Sequence, residues 1–182
     1  MSRGLRPRLF RRRGGRYSRH TVLALGALGL GLMGAAAIAE PAPLLVWNAS
    51  ASAPIGLYRL VAGQPGRGDL VLVQPPEGVA RLAAERGYLP LGVPLVKRIA
   101  ALAGDRVCGA GGGISIDGIH VASILARDGW GRSMPRWSGC RTLGSGEVFL
   151  LMAGVSESFD SRYFGPIPAT AVIGRLAPLW TR

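Results

Sequence analysis

Two kinds of residue in this 182-residue chain could do chemistry together: the serines of an alanine-rich loop and a single lysine. The loop reads Trp47-Asn-Ala-Ser50-Ala-Ser52-Ala-Pro54-Ile-Gly56-Leu-Tyr58-Arg-Leu60. Its small residues let a substrate backbone approach Ser52, and Pro54 fixes one dihedral and holds the preceding residue extended. A Ser/Ala/Pro stretch alone is also an ordinary linker. The partner that lifts it lies in Leu95-Val-Lys97-Arg98-Ile-Ala-Ala-Leu102. Of the 22 basic residues, 21 are arginine and Lys97 is the exception. A coding bias toward arginine explains the 21 but not the exception, whose bland reading is a chance surface lysine. Arginine stays protonated at any working pH, whereas a buried lysine loses its proton and serves as a base. A serine hydroxyl needs such a base, and neutral lysine replaces the histidine of a triad in Ser-Lys variants. The hydroxyl of Ser158 or of Ser161 is a candidate to orient the amine. His120, expected on a strand, receives no catalytic role.

Those residues need a frame. A chain of 182 residues suits one domain plus an appendage, with a core large enough to stand without a cofactor. The net charge of +12 is unevenly placed: residues 1–20 hold eight arginines and no acid, and the rest carries 14 basic against 10 acidic residues. Such a tail suits nucleic acid or the edge of a membrane. Residues 22–39 decide between them: they carry no charge and as a helix span about 27 Å, against about 30 Å of hydrocarbon. Arginines before the run and Glu40 after it place residues 1–20 in the cytoplasm and the remainder outside. A buried soluble helix of this length would show a polar face. Ala37-Ile-Ala39 has the shape of a signal cleavage site, but the apolar run exceeds a usual signal core, which favours an uncleaved anchor.

Two cysteines, Cys108 and Cys140, fit the outside placement. A disulfide between them would stabilise by roughly 3 to 4 kcal/mol; two unpaired buried thiols are the alternative. His20 and His120 make no ligand cluster with either cysteine, so no metal site is expected.

Beyond the anchor, residues 40–43 form a stiff Pro-containing linker. Residues 55–61 and 69–73 read as short strands around a Gly/Pro turn, 77–86 as a surface helix and 95–102 as a strand. Asp117-Gly118 between alternating apolar residues signals a hairpin. Residues 122–138 read as loop, 147–152 as a fully apolar central strand, 154–165 as a polar loop and 172–176 as a closing strand. The fold class is therefore mainly β.

Taken in order, Ser52-Ala-Pro54, Gly68-Asp69-Leu-Val-Leu-Val, Val96-Lys97-Arg98-Ile with Gly104-Asp105, and Ser158-Phe-Asp160-Ser161-Arg162-Tyr-Phe-Gly165 resemble the boxes of type I signal (leader) peptidases. Pro54-Ile-Gly-Leu-Tyr58, the Cys108 and Cys140 pair, and Trp137-Ser-Gly-Cys-Arg141 resemble the TraF-type conjugative transfer branch. The resemblance covers about residues 44–180. It implies a signal-peptidase-like (LexA-like) β-barrel or sheet catalytic domain with one N-terminal transmembrane helix. The division would be a cytoplasmic tail at 1–20, a signal anchor at 21–39 and a periplasmic serine peptidase at 40–182, held in the inner membrane. Ser52 would be the nucleophile and Lys97 the general base. Ser50 would donate its hydroxyl to the oxyanion beside the Ser52 backbone N–H. Ser158 would orient the amine, and Asp160 and Arg162 would brace the loop as an ion pair. Where leader peptidases open the last box with Gly-Asp-Asn, this chain has Gly154-Val155-Ser156, which fits the conjugative branch better and leaves a support role for residues 155 and 156 open.

The substrate so implied is a signal-bearing precursor cut after small residues, a conjugative prepilin, with cyclisation as an alternative to hydrolysis. Membrane lipid is the other partner; no cofactor and no nucleic acid are expected. The main rival is a non-catalytic envelope component of a transfer or secretion apparatus, with the serine loop as a linker. DNA binding through residues 1–20 is a further rival, but the anchor already explains the arginines. A LexA-like repressor would carry a DNA-binding helical domain where this chain has its apolar run.

Overall fold

The structure is a computed structural model and describes residues 18–39 and 44–182. Most of the expected basic tail and the linker at residues 40–43 lie outside the described residues, as do the side chains of the Ala-Ile-Ala stretch before Glu40. Helix α1 (Arg19–Ala39) opens at Ser18, whose hydroxyl accepts the His20 N–H at 3.1 Å and whose carbonyl accepts the Thr21 and Val22 amides. That is an N-cap, so the helix starts before the uncharged run and takes in Arg19 and His20. Its 21 residues are long and apolar enough to cross a membrane. The helix belongs to one compact unit, and residues from 44 onward form another.

The second unit is mainly β. In chain order its strands are β1 (Leu45–Asn48), β2 (Gly56–Val61), β3 (Leu70–Val73), β4 (Leu95–Ala101), β5 (Arg106–Ala110), β6 (Gly113–Ile116), β7 (Ile119–Ser123), β8 (Gly139–Thr142), β9 (Glu147–Leu150), β10 (Ile167–Pro168) and β11 (Val172–Thr181). Two helices interrupt them, α2 (Glu77–Glu85) and the short α3 (Ser161–Phe164). The larger sheet runs β1-β2-β11-β3-β4-β9-β10, and the smaller runs β7-β6-β5-β8, with every pairing antiparallel.

Local sequence explains most of this. The β6–β7 hairpin turns at Asp117-Gly118, both with positive φ (50° and 83°), as a two-residue turn of that composition requires. Strand β9 is apolar because both of its faces are covered: Val148 and Leu150 pack with Val71, Val73, Leu95, Ile99 and Ile167, while Phe149 packs with Ala101, Val107 and Ile114 of the second core. A third core of Ala53, Tyr58, Leu72, Val96, Met152 and Leu176 reaches the serine loop itself.

Three departures from the sequence reading have physical causes. Strand β1 is short and lies on the sheet edge with exposed Leu45 and Trp47, so it carries no clean alternation. Strand β11 continues past Leu176 to Thr181 through an irregularity between Pro178 and Trp180, where proline masks the strand pattern. The expected loop at 154–165 contains α3, a single turn with a side-chain cap that four residues of helical sequence cannot announce.

Candidate active site

Strand β4 sets Lys97 in place. Its pleat puts Lys97 on the face shared by Leu95 and Ile99, with Val71 of β3 as its cross-strand neighbour. The side chain is 3% exposed, and Nζ lies 2.9 Å from Ser52 Oγ and 2.9 Å from Ser158 Oγ. Burial lowers the ammonium pKa from its ordinary 10.5 to about 8; the Asp160 carboxylate works against that shift and the Arg162 guanidinium adds to it. A lysine so placed is partly neutral near pH 8, which a base requires.

The serine loop joins β1 to β2, its neck closed by the pair Asn48 and Gly56. Gly56 is needed there: with φ of 157°, a Cβ would fall 2.1 Å from the Trp180 carbonyl oxygen of β11. Ser50 Oγ lies 3.0 Å from Ser52 Oγ and accepts the Ser52 N–H at 3.3 Å. The Ala53 N–H donates to Ser50 O at 3.4 Å, and the Ala53 methyl seats in the third core at 3% exposure. Tyr58 donates its hydroxyl to Pro54 O at 2.6 Å, and the Asn48 amide bonds backbone groups on both sides of Ser52.

Behind the lysine stands the segment ending in α3. Asp160 caps this helix by accepting the Arg162 N–H, and its carboxylate takes Arg162 Nε and Nη2 as a fork, both at 2.9 Å. Neither side chain is more than 1% exposed. Such burial is tolerable only with every polar atom satisfied. Met152 N–H donates to Asp160 Oδ2, and Arg162 reaches the carbonyls of Val155, Ser158, Met152 and Ser123. This ties residues 152–162 into one rigid piece and fixes Ser158, itself 2% exposed, against Lys97.

The structure thus brings Ser50, Ser52, Lys97 and Ser158 together, with the Asp160 and Arg162 pair behind them. Ser161 is not at the lysine; its hydroxyl accepts the Leu150 N–H at 3.0 Å and ties α3 to β9. Cys108 and Cys140 are directly cross-strand between β5 and β8 and form a disulfide within the smaller sheet. Asn48 and Tyr58 escaped the sequence reading as contributors to the loop. The only local signal was an asparagine ending a strand just before a loop of small residues, whose own side chains could not hold it. A cavity of about 580 Å³, lined by Arg98, Ile116, Ile119, Leu151 and Met152 among others, does not include Ser52 or Lys97. The Ser52 and Lys97 pair is reached instead through the serine loop, where Ser50 is exposed and Ser52 half-buried.

Comparison with known proteins shows the family of the chain. A probable conjugal transfer protein TraF of Sinorhizobium fredii is 41% identical over 138 residues, covering 70% of this chain and 72% of that protein. A plasmid transfer protein TraF of Escherichia coli is 37% identical over 145 residues, covering 74% of this chain and 81% of that one. A crystal structure of a signal peptidase I from Enterococcus faecalis covers 64% of this chain and all of its own, at 19% identity and a TM-score of 0.40. That likeness is too distant to bear on the assignment. The family model described as signal peptidase, peptidase S26 matches residues 17–180, which takes in the serine loop, β4 and the segment through α3. With that match and these relatives, the chain belongs to the signal peptidase family, peptidase S26.

Proposed function

We propose that this protein is a membrane-anchored serine endopeptidase in which Ser52 is the nucleophile and Lys97 the general base. The observation that carries the reading is the 2.9 Å approach of a lysine only 3% exposed to a serine hydroxyl on an accessible loop. Neutral Lys97 accepts the Ser52 Oγ proton as Oγ attacks the carbonyl carbon of the scissile bond. The tetrahedral oxyanion takes the Ser52 N–H and the Ser50 O–H as donors. In the free enzyme that N–H is spent on Ser50 Oγ at 3.3 Å, so substrate must draw both donors outward to the new oxygen. The Lys97 ammonium then protonates the leaving amine, the C–N bond breaks, and an acyl ester remains on Ser52. Water, activated by the again neutral Lys97, adds to the ester and releases the acid. Ser158 holds the amine on line throughout, and the Asp160 and Arg162 pair fixes Ser158.

The names of the relatives point to conjugation, so the substrate in this reading is a conjugative prepilin cut after small residues. Attack on the ester by the amine of the same chain in place of water would cyclise the product. In this reading α1 is an uncleaved anchor in the inner membrane, with residues 1–20 cytoplasmic and the β domain periplasmic. The test is processing of a signal-bearing precursor by wild type, Ser52→Ala, Lys97→Ala and Lys97→Arg. Cleavage by wild type alone supports the dyad. Cleavage by all four, or by none, returns the protein to a non-catalytic part of a transfer apparatus.

A further inference from the structure

Asn48 ends β1 at the neck of the loop that carries both serines, and its side chain, 5% exposed, turns into that loop. Nδ2 lies 3.0 Å from Ser50 O, 3.1 Å from Ala53 O and 3.1 Å from Pro54 O, while Oδ1 accepts the Ser50 N–H at 3.1 Å. An amide nitrogen has two hydrogens, so three carbonyls share them, and the contacts straddle Ser52 on both sides. Residues 49–55 are held otherwise by bonds within the loop at Ser50, by Lys97 on Ser52 Oγ and by the Arg182 N–H on Ile55 O, none of which gathers the carbonyls on either side of Ser52 as Asn48 does. Ala49 and Ala51 are exposed, Ala53 alone is buried, and Tyr58 reaches only the Pro54 carbonyl.

We propose that Asn48 is the positioning residue of the nucleophile: its amide sets the loop conformation in which Ser52 Oγ meets Lys97 and the Ser52 N–H can turn to the oxyanion. The proposal rests on the peptidase reading above. Asn48 bonds neither Ser52 Oγ nor Lys97 Nζ; it acts through the backbone at 50, 53 and 54. Misplacing a nucleophile by about 1 Å costs on the order of 100-fold in rate, and that is the scale at stake.

The test uses the full chain in nonionic detergent with a fluorogenic peptide bearing Ala-x-Ala before the cleaved bond. Wild type, Asn48→Ala and Asn48→Asp are compared, with Arg81→Ala in an exposed ion pair as the control. Asn48→Asp keeps shape and the Oδ1 acceptor, removes the donor and sets a carboxylate oxygen against the three carbonyls. Rates are expressed per folded molecule, measured by tryptophan emission, so that lost stability alone moves nothing. Both variants should lose about 10- to 100-fold in kcat with KM within about twofold. The rising limb of the Asn48→Ala pH–rate profile should stay near pH 8, because the groups that set Lys97 are untouched. Turnover within twofold of wild type, a loss confined to KM, or a displaced limb would overturn the proposal. If Asn48→Ala does not fold, Asn48→Asp decides by kcat and KM alone; if neither folds, Asn48 is a determinant of the fold and the proposal is wrong. If wild type itself does not cleave while folded, the peptidase reading is what has failed, and the proposal falls with it.

Discussion

Replacing Lys97 with methionine should separate the cost of the base from its use. Methionine fills nearly the same space with no charge. At pH 7 Lys97 is mostly protonated in the folded and unfolded states alike, so folding bears the full penalty of burying the ammonium. The fall from 10.5 to about 8 puts that penalty at about 3 kcal/mol. Against this, Ser158 loses its partner while 2% exposed, and an unsatisfied buried hydroxyl costs about 1 to 3 kcal/mol. Lys97→Met should therefore be more stable than wild type at pH 7 by up to about 2 kcal/mol, and it should be inactive. The sign of the pH dependence follows from proton counts. Between pH 8 and 10.5 the unfolded chain still binds the lysine proton and the folded one does not, so wild type gains stability as pH rises and methionine gains none. The advantage of the variant should shrink by about 2 to 3 kcal/mol between pH 7 and pH 10. Urea unfolding of the full chain in detergent, followed by tryptophan emission, measures it. Every other titrating group cancels in the difference between the two proteins. A stability difference that stays flat from pH 7 to pH 10 would refute the idea that Lys97 is held near neutrality by burial.

Three further outcomes follow from the same geometry. The pH–rate profile of wild type should rise with a midpoint near pH 8, and Lys97→Arg should give no turnover at any pH, because arginine keeps its proton. Asp160→Asn should strand the buried Arg162 guanidinium and cost about 3 to 5 kcal/mol in chemical unfolding. Where the variant stays folded, the rising limb should move to lower pH, since the carboxylate that favours the ammonium is gone; a limb moving to higher pH would contradict this sign. Reduction of the Cys108 and Cys140 disulfide should lower stability by about 3 to 4 kcal/mol, and an unchanged melting temperature under reductant would refute that estimate.

What could be read from sequence alone divides along the range of the interactions concerned. Local patterns locate β2, β3, β4 and the β6–β7 hairpin to within a residue or two, because apolar alternation and turn chemistry are properties of neighbouring residues. Lys97 stands out by composition, as a lysine among arginines, and β-strand alternation already turns it away from Val96 and Arg98. The choice between Ser158 and Ser161 was not legible in the same way. Both lie in an irregular segment with no period, and which hydroxyl faces the lysine depends on how Asp160 caps α3 and how Arg162 pulls in the carbonyls of 152, 155 and 158. Asn48 was invisible for a related reason. Its partners are backbone atoms of a loop whose shape it helps to create, and side-chain identity says nothing of that until the chain closes at Gly56.

The buried pair behind the lysine is more than scaffolding. A lone carboxylate at Asp160 would favour the ammonium form of Lys97 and hold the amine charged to higher pH. Arg162, forked onto that carboxylate, opposes it, and desolvation is the largest influence on the amine, ahead of either charge. The arrangement explains why a lysine can be held next to an aspartate and still lose its proton. It also explains why the counterion must be arginine. Its planar fork takes both carboxylate oxygens through Nε and Nη2, Nη2 also reaches the carbonyls of Met152, Val155 and Ser158, and Nη1 is left for the Ser123 carbonyl; a lysine at 162 could offer neither the fork nor the reach. The chain that uses arginine nearly everywhere for positive charge therefore uses it here as a permanent cation, and its one lysine stands where burial eases the loss of a proton.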